Sequence, residues 1–300
     1  MAKPWIQHYG DSIPQEIDTS QYSSVVDMLA EASEQYRDRD AYSSFGGRLT
    51  FGKTWDLSRD FAAYLQNEIG IEKGDRVAVM LPNMMAFPVA MYGIIRAGGV
   101  QVNVNPMYTA RELEHQLNDA DARTIVVFAG STPTLAEVIG KTSIKNVIVA
   151  QLDDLIGVGI PDAPLADGLG SAVRFVDAVD AGKALDFDAP DISGDDLIFL
   201  QYTGGTTGLS KGAMLSHANL VANILQYAAF AGNHVNRGAE VVITAIPMYH
   251  IFALMVNTLS YYHFGGTSVL ITNPTDMPAF VAEWSKWQVT VFTGVNLSLI

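Results

Sequence analysis

Asp196-Leu-Ile-Phe-Leu-Gln-Tyr-Thr-Gly-Gly-Thr-Thr-Gly-Leu-Ser-Lys-Gly-Ala213 is the stretch on which the reading of the fold turns. An apolar run from Leu197 to Leu200 ends in a loop of glycines and threonines, a lysine follows, and a helical pattern opens at Ser216. A polyphosphate needs several backbone N–H donors converging on its oxygens. Gly204, Gly205 and Gly208 allow backbone angles that a Cβ disfavours. The hydroxyls of Thr203, Thr206 and Thr207 add donors or a hard oxygen ligand, and Lys211 adds a mobile point charge. The plainer reading, a Gly/Thr turn between strand and helix, accounts for fewer of these residues. The spelling is neither the Walker A loop, since Ser210 precedes Lys211 and Gly212 follows it, nor a Gly-x-Gly-x-x-Gly dinucleotide loop.

Around this stretch the chain alternates strand and helix roughly every 20 to 25 residues. Val25, Met28, Leu29 and Ala32 recur at helical spacing, and a hairpin is expected around Gly46-Gly47. Helices are then expected at 54–68, closed by Gly70, and at 86–96, 110–118 and 133–141. Strands are expected at 77–81, 100–104, 124–128 and 146–150. Beyond the opening stretch, Ser216 is expected to cap a helix to about Phe230. A strand at 241–245, an apolar helix at 251–264, a strand at 268–271, a helix at 277–287 and a strand at 289–292 complete the pattern. The fold class is therefore α/β, with parallel sheets flanked by helices in two consecutive subdomains. The expected division is an approach segment at 1–50, a first subdomain at 51–151, a linker at 152–195, and a second subdomain at 196–300 that carries the phosphate loop.

Composition narrows the function. With 300 residues and 49% hydrophobic content the chain can bury a substantial core. A formal charge of −14 disfavours nucleic acid as a partner, so an anionic ligand has to be held locally. There is no cysteine, hence neither disulfide nor thiolate chemistry. The N-terminus has no secretory apolar region, and no apolar run reaches the roughly 18 residues of a membrane helix. No His/Asp/Glu group has the spacing of a structural metal site.

Tyr202-Thr-Gly-Gly-Thr-Thr-Gly-Leu-Ser-Lys-Gly212 resembles the phosphate-loop signature of the AMP-forming adenylate enzymes, and Pro247-Met-Tyr-His-Ile-Phe-Ala253 is similar to their next motif. Gly74-Asp-Arg-Val-Ala-Val-Met-Leu-Pro-Asn83, the stretch from Val102 to Asn118 and Ile271-Thr-Asn-Pro-Thr-Asp276 resemble bacterial long-chain fatty acid–CoA ligases in particular. The resemblance implies ATP, Mg²⁺ and CoA, with a fatty acid as the substrate activated to acyl-AMP. It implies that Tyr202, Thr203, Gly204, Gly205, Thr206, Thr207, Gly208, Leu209, Ser210, Lys211, Gly212 and Ala213 hold nucleotide phosphates, with Thr203 on Mg²⁺ and Lys211 catalytic. It puts His250 by the acyl carboxylate and α-phosphate, and Phe252, Gly294 and Val295 in the substrate pocket. Gly204 stands where Ser or Thr is frequent, and Ser210 where Pro is frequent.

By that resemblance the later motifs would lie beyond Ile300, so the chain is expected to be the N-terminal part of such an enzyme and inactive alone. A cytoplasmic location is implied, with room for a homodimer and for peripheral contact with the inner face of the membrane. Two other readings stay open: an acyl-AMP ligase that loads a carrier protein, and a non-catalytic nucleotide or fatty-acid binding module. His250 reads either as a pocket residue or as a hydrogen-bonded core histidine, whereas His115 and His217 read as structural. The apolar segment 251–264 reads either as core or as the wall of an acyl tunnel.

Overall fold

The computed structural model describes residues 4–10, 13–169, 171–203 and 210–295. Helix α1 (Val25–Gln35) is followed by the hairpin β1 (Asp40–Ser44) and β2 (Gly47–Thr50), then by α2 (Phe51–Tyr64), whose last turns continue as a π-helix, Leu65–Ile69. Next come β3 (Arg76–Met80), α3 (Ala86–Arg96), β4 (Val100–Asn103), α4 (Ala110–Asp119), β5 (Thr124–Phe128), α5 (Thr132–Val138) and β6 (Asn146–Ala150). The short β7 (Val173–Arg174) and α6 (Phe175–Gly182) precede β8 (Leu197–Thr203), β9 (Lys211–Ser216) and α7 (His217–Ala231). The described chain closes with β10 (Val241–Thr244), α8 (Ile251–Ala253), a π-helical segment Leu254–Ser260, α9 (Tyr261–His263), β11 (Thr267–Leu270), α10 (Met277–Trp284) and β12 (Val291–Phe292).

The strands form two mostly parallel sheets flanked by helices, in the orders β7-β6-β5-β3-β4-β8-β9 and β12-β10-β11-β1-β2. The sheets do not follow the sequence division. The strand that opens the phosphate stretch, β8, pairs in parallel with β4 of the first unit, and the early hairpin joins the other sheet through β1 and β11. Hydrophobic periodicity reports which residues are strands but carries no information about which strands are neighbours. The expected linker is also more than a connection. β7 extends the larger sheet beside β6, and Phe175 of α6 stacks at 4.9 Å on Phe61 of α2. That seam is so close that a Cβ on Gly182 would lie 1.8 Å from the Asp60 carbonyl oxygen.

Sequence reading also passed over β9. Lys-Gly-Ala-Met-Leu-Ser has no alternating pattern, and its strand conformation is supplied by antiparallel pairing with β8, register Thr203↔Lys211 to Phe199↔Leu215. The early hairpin forms as expected, with its turn on Phe45 and Gly46 at φ of 50° and 86°. Gly70 ends the second helix in the left-handed region at φ 76°, and Ser216 caps α7 through a capping box with Asn219.

The largest apolar cluster joins both sheets through α1, α2 and α3, and every residue of α3 is buried. A second cluster fills the face of the larger sheet beneath α4 and α5, and a third lies between the smaller sheet and α10. Two histidines sit inside this packing. His217 accepts a hydrogen bond from the Val25 backbone N–H at 3.2 Å, and burial lowers its pKa to about 4. Burial, aided by Arg237, also lowers His263 to about 4.

Both groups ordinarily titrate near 6.5, so above that pH they are neutral folded or unfolded and their packing is fully retained. As pH falls from about 6.5 towards 4 the unfolded chain takes up protons that the folded chain refuses, and stability is lost. At pH 5 the expected loss is on the order of 2 kcal/mol for each histidine. Urea denaturation at pH 7.5 and pH 5.0 measures it, and equal unfolding free energies at the two values would contradict this assignment.

Candidate functional site

In the larger sheet β8 lies beside β4, and the two run parallel. In open α/β sheets ligands bind in crevices outside the carboxyl ends of the strands. A cavity of about 380 Å³ opens there, lined by Asn103, Asn105 and Tyr108 after β4, Gln201, Tyr202 and Thr203 of β8, and Tyr249, His250 and Ile251 after β10. It is therefore shared by the carboxyl edges of both sheets.

Buried amides hold these edges together. Gln101 Nε2 donates to Asn103 Oδ1 at 2.7 Å, Asn103 Nδ2 to Gln201 Oε1 at 2.9 Å, and Gln201 Nε2 to the Tyr249 carbonyl at 3.1 Å. From the other side, Asn83 beyond β3 donates to the carbonyls of Thr244 and Ile246 at 2.9 and 3.0 Å and accepts from Met248 N–H at 2.7 Å. Its own carbonyl accepts from Thr272 Oγ1 at 2.6 Å. One side chain thus serves three backbone groups of the loop that leads to His250, at a position only 3% exposed.

His250 caps α8, its Nδ1 accepting from Phe252 N–H at 3.3 Å. That acceptance leaves Nε2 as the protonated nitrogen, a donor suited to an anionic oxygen. No carboxylate is among the nine lining residues. The nearby Asp119 is engaged by Tyr202, whose phenol donates at 2.5 Å and is held protonated by burial and then by that carboxylate.

The loop's two ends are fixed at the cavity. Ser210 Oγ donates to the Thr203 carbonyl at 2.8 Å, and His115 Nε2 donates to the Ser210 carbonyl at 3.0 Å. Lys211 is exposed opposite Thr203, the first residue of β9. Gly212 faces Tyr202 across the pair, where an added Cβ would lie 2.9 Å from the ring. Ala213 follows, opposite Gln201. Gly204, Gly205, Thr206, Thr207, Gly208 and Leu209 lie outside the described residues.

Of the expected site residues, Tyr202, Thr203 and His250 meet at one cavity, with Ser210 and Lys211 at its rim. Phe252 is exposed in the first turn of α8. Gly294 and Val295 are not in the cavity lining. They follow β12, whose parallel register with β10 puts them on the edge from which β10 runs towards His250. The segment 251–264 packs as core: Leu254, Leu259 and Tyr262 join the main cluster, and Asn257, Thr258 and Ser260 hydrogen-bond inside it. Sequence reading missed Asn83, Asn103, Gln201 and the His115 contact. For the three amides the signal was a polar residue near the carboxyl end of an apolar strand; His115, on α4, carried no such signal.

Fold and site together define an α/β protein with a polar cavity where the carboxyl edges of two sheets converge. The model of the AMP-binding enzyme family matches residues 29–299, and the chain belongs to that family. It is 43% identical over 311 residues to a long-chain-fatty-acid–CoA ligase of Salmonella typhimurium, an alignment covering 99% of this chain and 55% of the relative. A ligase of the same description from Bacillus subtilis is 33% identical over 265 residues, covering 84% of this chain and 46% of the relative. The crystal structure of a long-chain-fatty-acid–CoA ligase from Archaeoglobus fulgidus superposes with a TM-score of 0.80 at 26% identity, covering 97% of this chain and 55% of that one. The chain thus spans about half the length of the curated relatives it matches.

Proposed function

We propose that the chain contributes the phosphate- and carboxylate-binding half of a long-chain fatty acid–CoA ligase. The observation that carries this reading is the cavity itself: a threonine hydroxyl, two asparagines and a histidine N–H donor line it, with no carboxylate in the wall and a lysine at the rim. Such a wall accepts a polyphosphate and repels nothing on it.

In the proposed first step a fatty carboxylate oxygen bonds to the α-phosphorus of ATP, the bond from that phosphorus to the bridging oxygen breaks, and pyrophosphate leaves. Lys211 stabilises the charge that develops on the leaving group, and the glycines and threonines spelled by the loop sequence supply N–H and hydroxyl donors for it. His250 orients the acid and the α-phosphate through Nε2–H and takes no proton, since a carboxylate nucleophile has none to give. In the second step the CoA sulfur attacks the acyl carbonyl and AMP departs. Among the described lining residues Thr203 carries the one aliphatic hydroxyl, a hard oxygen that would hold Mg²⁺ together with phosphate oxygens and water. When bound, Mg²⁺ neutralises phosphate charge.

Pyrophosphate exchange by the whole protein with palmitate, followed by addition of CoA, tests the two steps. Exchange without a CoA thioester would favour an acyl-AMP ligase that loads a carrier protein. No exchange would favour a non-catalytic binding module. Among the described residues no helix is long and apolar enough to cross a membrane. A cytoplasmic setting, peripheral contact with the inner membrane face and a homodimer belong to the same reading. Sedimentation of the whole protein with and without anionic lipid vesicles tests the last two.

A further inference from the structure

We infer that Asn257 is a positioning residue that ties the helix capped by His250 to the strand end carrying Gly294 and Val295, and so sets the opening between these two segments. Asn257 sits in the π-helical segment Leu254–Ser260 and is 1% exposed. The widened turns are accompanied by hydroxyls that bond carbonyls five residues back, Thr258 Oγ1 to Ala253 at 3.2 Å and Ser260 Oγ to Met255 at 2.9 Å. Single π-turns of this kind cluster at functional sites because they re-aim side chains that a regular helix would direct elsewhere.

The contacts of Asn257 all lead to the strands of the smaller sheet. Its Nδ2 donates to Thr244 Oγ1 at 3.1 Å and to the Ile243 carbonyl at 3.4 Å, where β10 ends and the loop to His250 begins. Its Oδ1 accepts from Thr293 Oγ1 at 2.9 Å, one residue before Gly294. Its backbone carbonyl accepts from Ser268 Oγ of β11 at 3.1 Å. A leucine could fill the volume, but it could neither donate to one strand end nor accept from another, as the amide does. The amide therefore fixes the carboxyl ends of β10 and β12 relative to one helix. Under the proposed ligase reading, on which the functional part of this inference rests, His250 and the Gly294–Val295 segment flank the acid, and Asn257 sets the space left for it.

Thr293→Val removes a single link and leaves the fold's other contacts in place. Hydrogen exchange on this chain is expected to quicken about tenfold over residues 250–260 as well as 291–295, since one buried hydrogen bond is shared by both segments. Thr293→Ser, which keeps the hydroxyl, should restore protection. In the whole protein, Thr293→Val and Asn257→Ala should raise KM for the fatty acid about tenfold while KM for ATP stays within about twofold. Faster exchange confined to 291–295, or KM values for acid and ATP rising together, would overturn the inference. If the whole wild-type protein performs no adenylation, the ligase reading fails by itself and the exchange experiment still decides whether the coupling exists.

Discussion

Asn83→Ala should destabilise the protein by about 3 kcal/mol or more and slow adenylation by the whole enzyme about a hundredfold. The substitution strands the buried Ile246 carbonyl and the Met248 N–H, and leaves the Thr244 carbonyl with only the Ile271 N–H at 3.0 Å. Each unsatisfied buried group costs about 1–3 kcal/mol, and moving the loop that leads to His250 is the way to relieve it. Movement of that loop displaces His250, and misplacement of a positioning group by about 1 Å is enough for a hundredfold loss. Asn83→Asp separates donor from acceptor roles: it keeps an oxygen for Met248 but turns a carboxylate towards two carbonyls, so it should be worse than alanine. Urea unfolding of the chain and pyrophosphate exchange by the whole protein measure the two effects. A variant that loses neither stability nor rate removes Asn83 from the site.

Lys211→Ala should behave in the opposite way, with adenylation lowered about a hundredfold and stability changed by no more than about 0.5 kcal/mol. Lys211 is exposed at the first position of an edge strand, and none of the ion pairs among the described residues includes it. Its ammonium therefore contributes little to folding, and under the proposed ligase reading it is available to the departing pyrophosphate. Lys211→Arg keeps the charge and should recover part of the rate. Equal exchange rates for wild type and Lys211→Ala would remove the lysine from the proposed chemistry.

The contrast between these residues shows what sequence could and could not reveal. Lys211 could be nominated from sequence because its neighbours spell a loop whose chemistry is local: glycines, hydroxyls and a cation within a dozen positions. Asn83 was quoted inside a motif, yet its role depends on Thr244, 161 positions away, and nothing in a strand pattern tells where a carbonyl that distant will lie. The same limit explains the sheets. Alternation identified β8 and β1 as strands, but their neighbours β4 and β11 are set by tertiary packing. Helix caps were readable for the converse reason, since Ser216 and Asn219 satisfy one another within a single turn. The segment 251–264 kept two readings because core and tunnel walls share an apolar composition, and only the hydrogen bonds of its buried hydroxyls and amide distinguish them.

The pairing of β1 with β11 has a consequence for how the protein is made. Asp40 and Thr267, joined through the threonine hydroxyl and the Asp40 carbonyl, are 227 residues apart in the chain. At ribosomal speeds of about 5–20 residues per second, the early hairpin waits on the order of 10–45 s before its neighbouring strand exists. During that interval the edge of β1 offers unpaired amides and carbonyls to whatever strand comes first. The smaller sheet is therefore completed late in synthesis, and the nascent chain passes through a period in which that hairpin has one edge open.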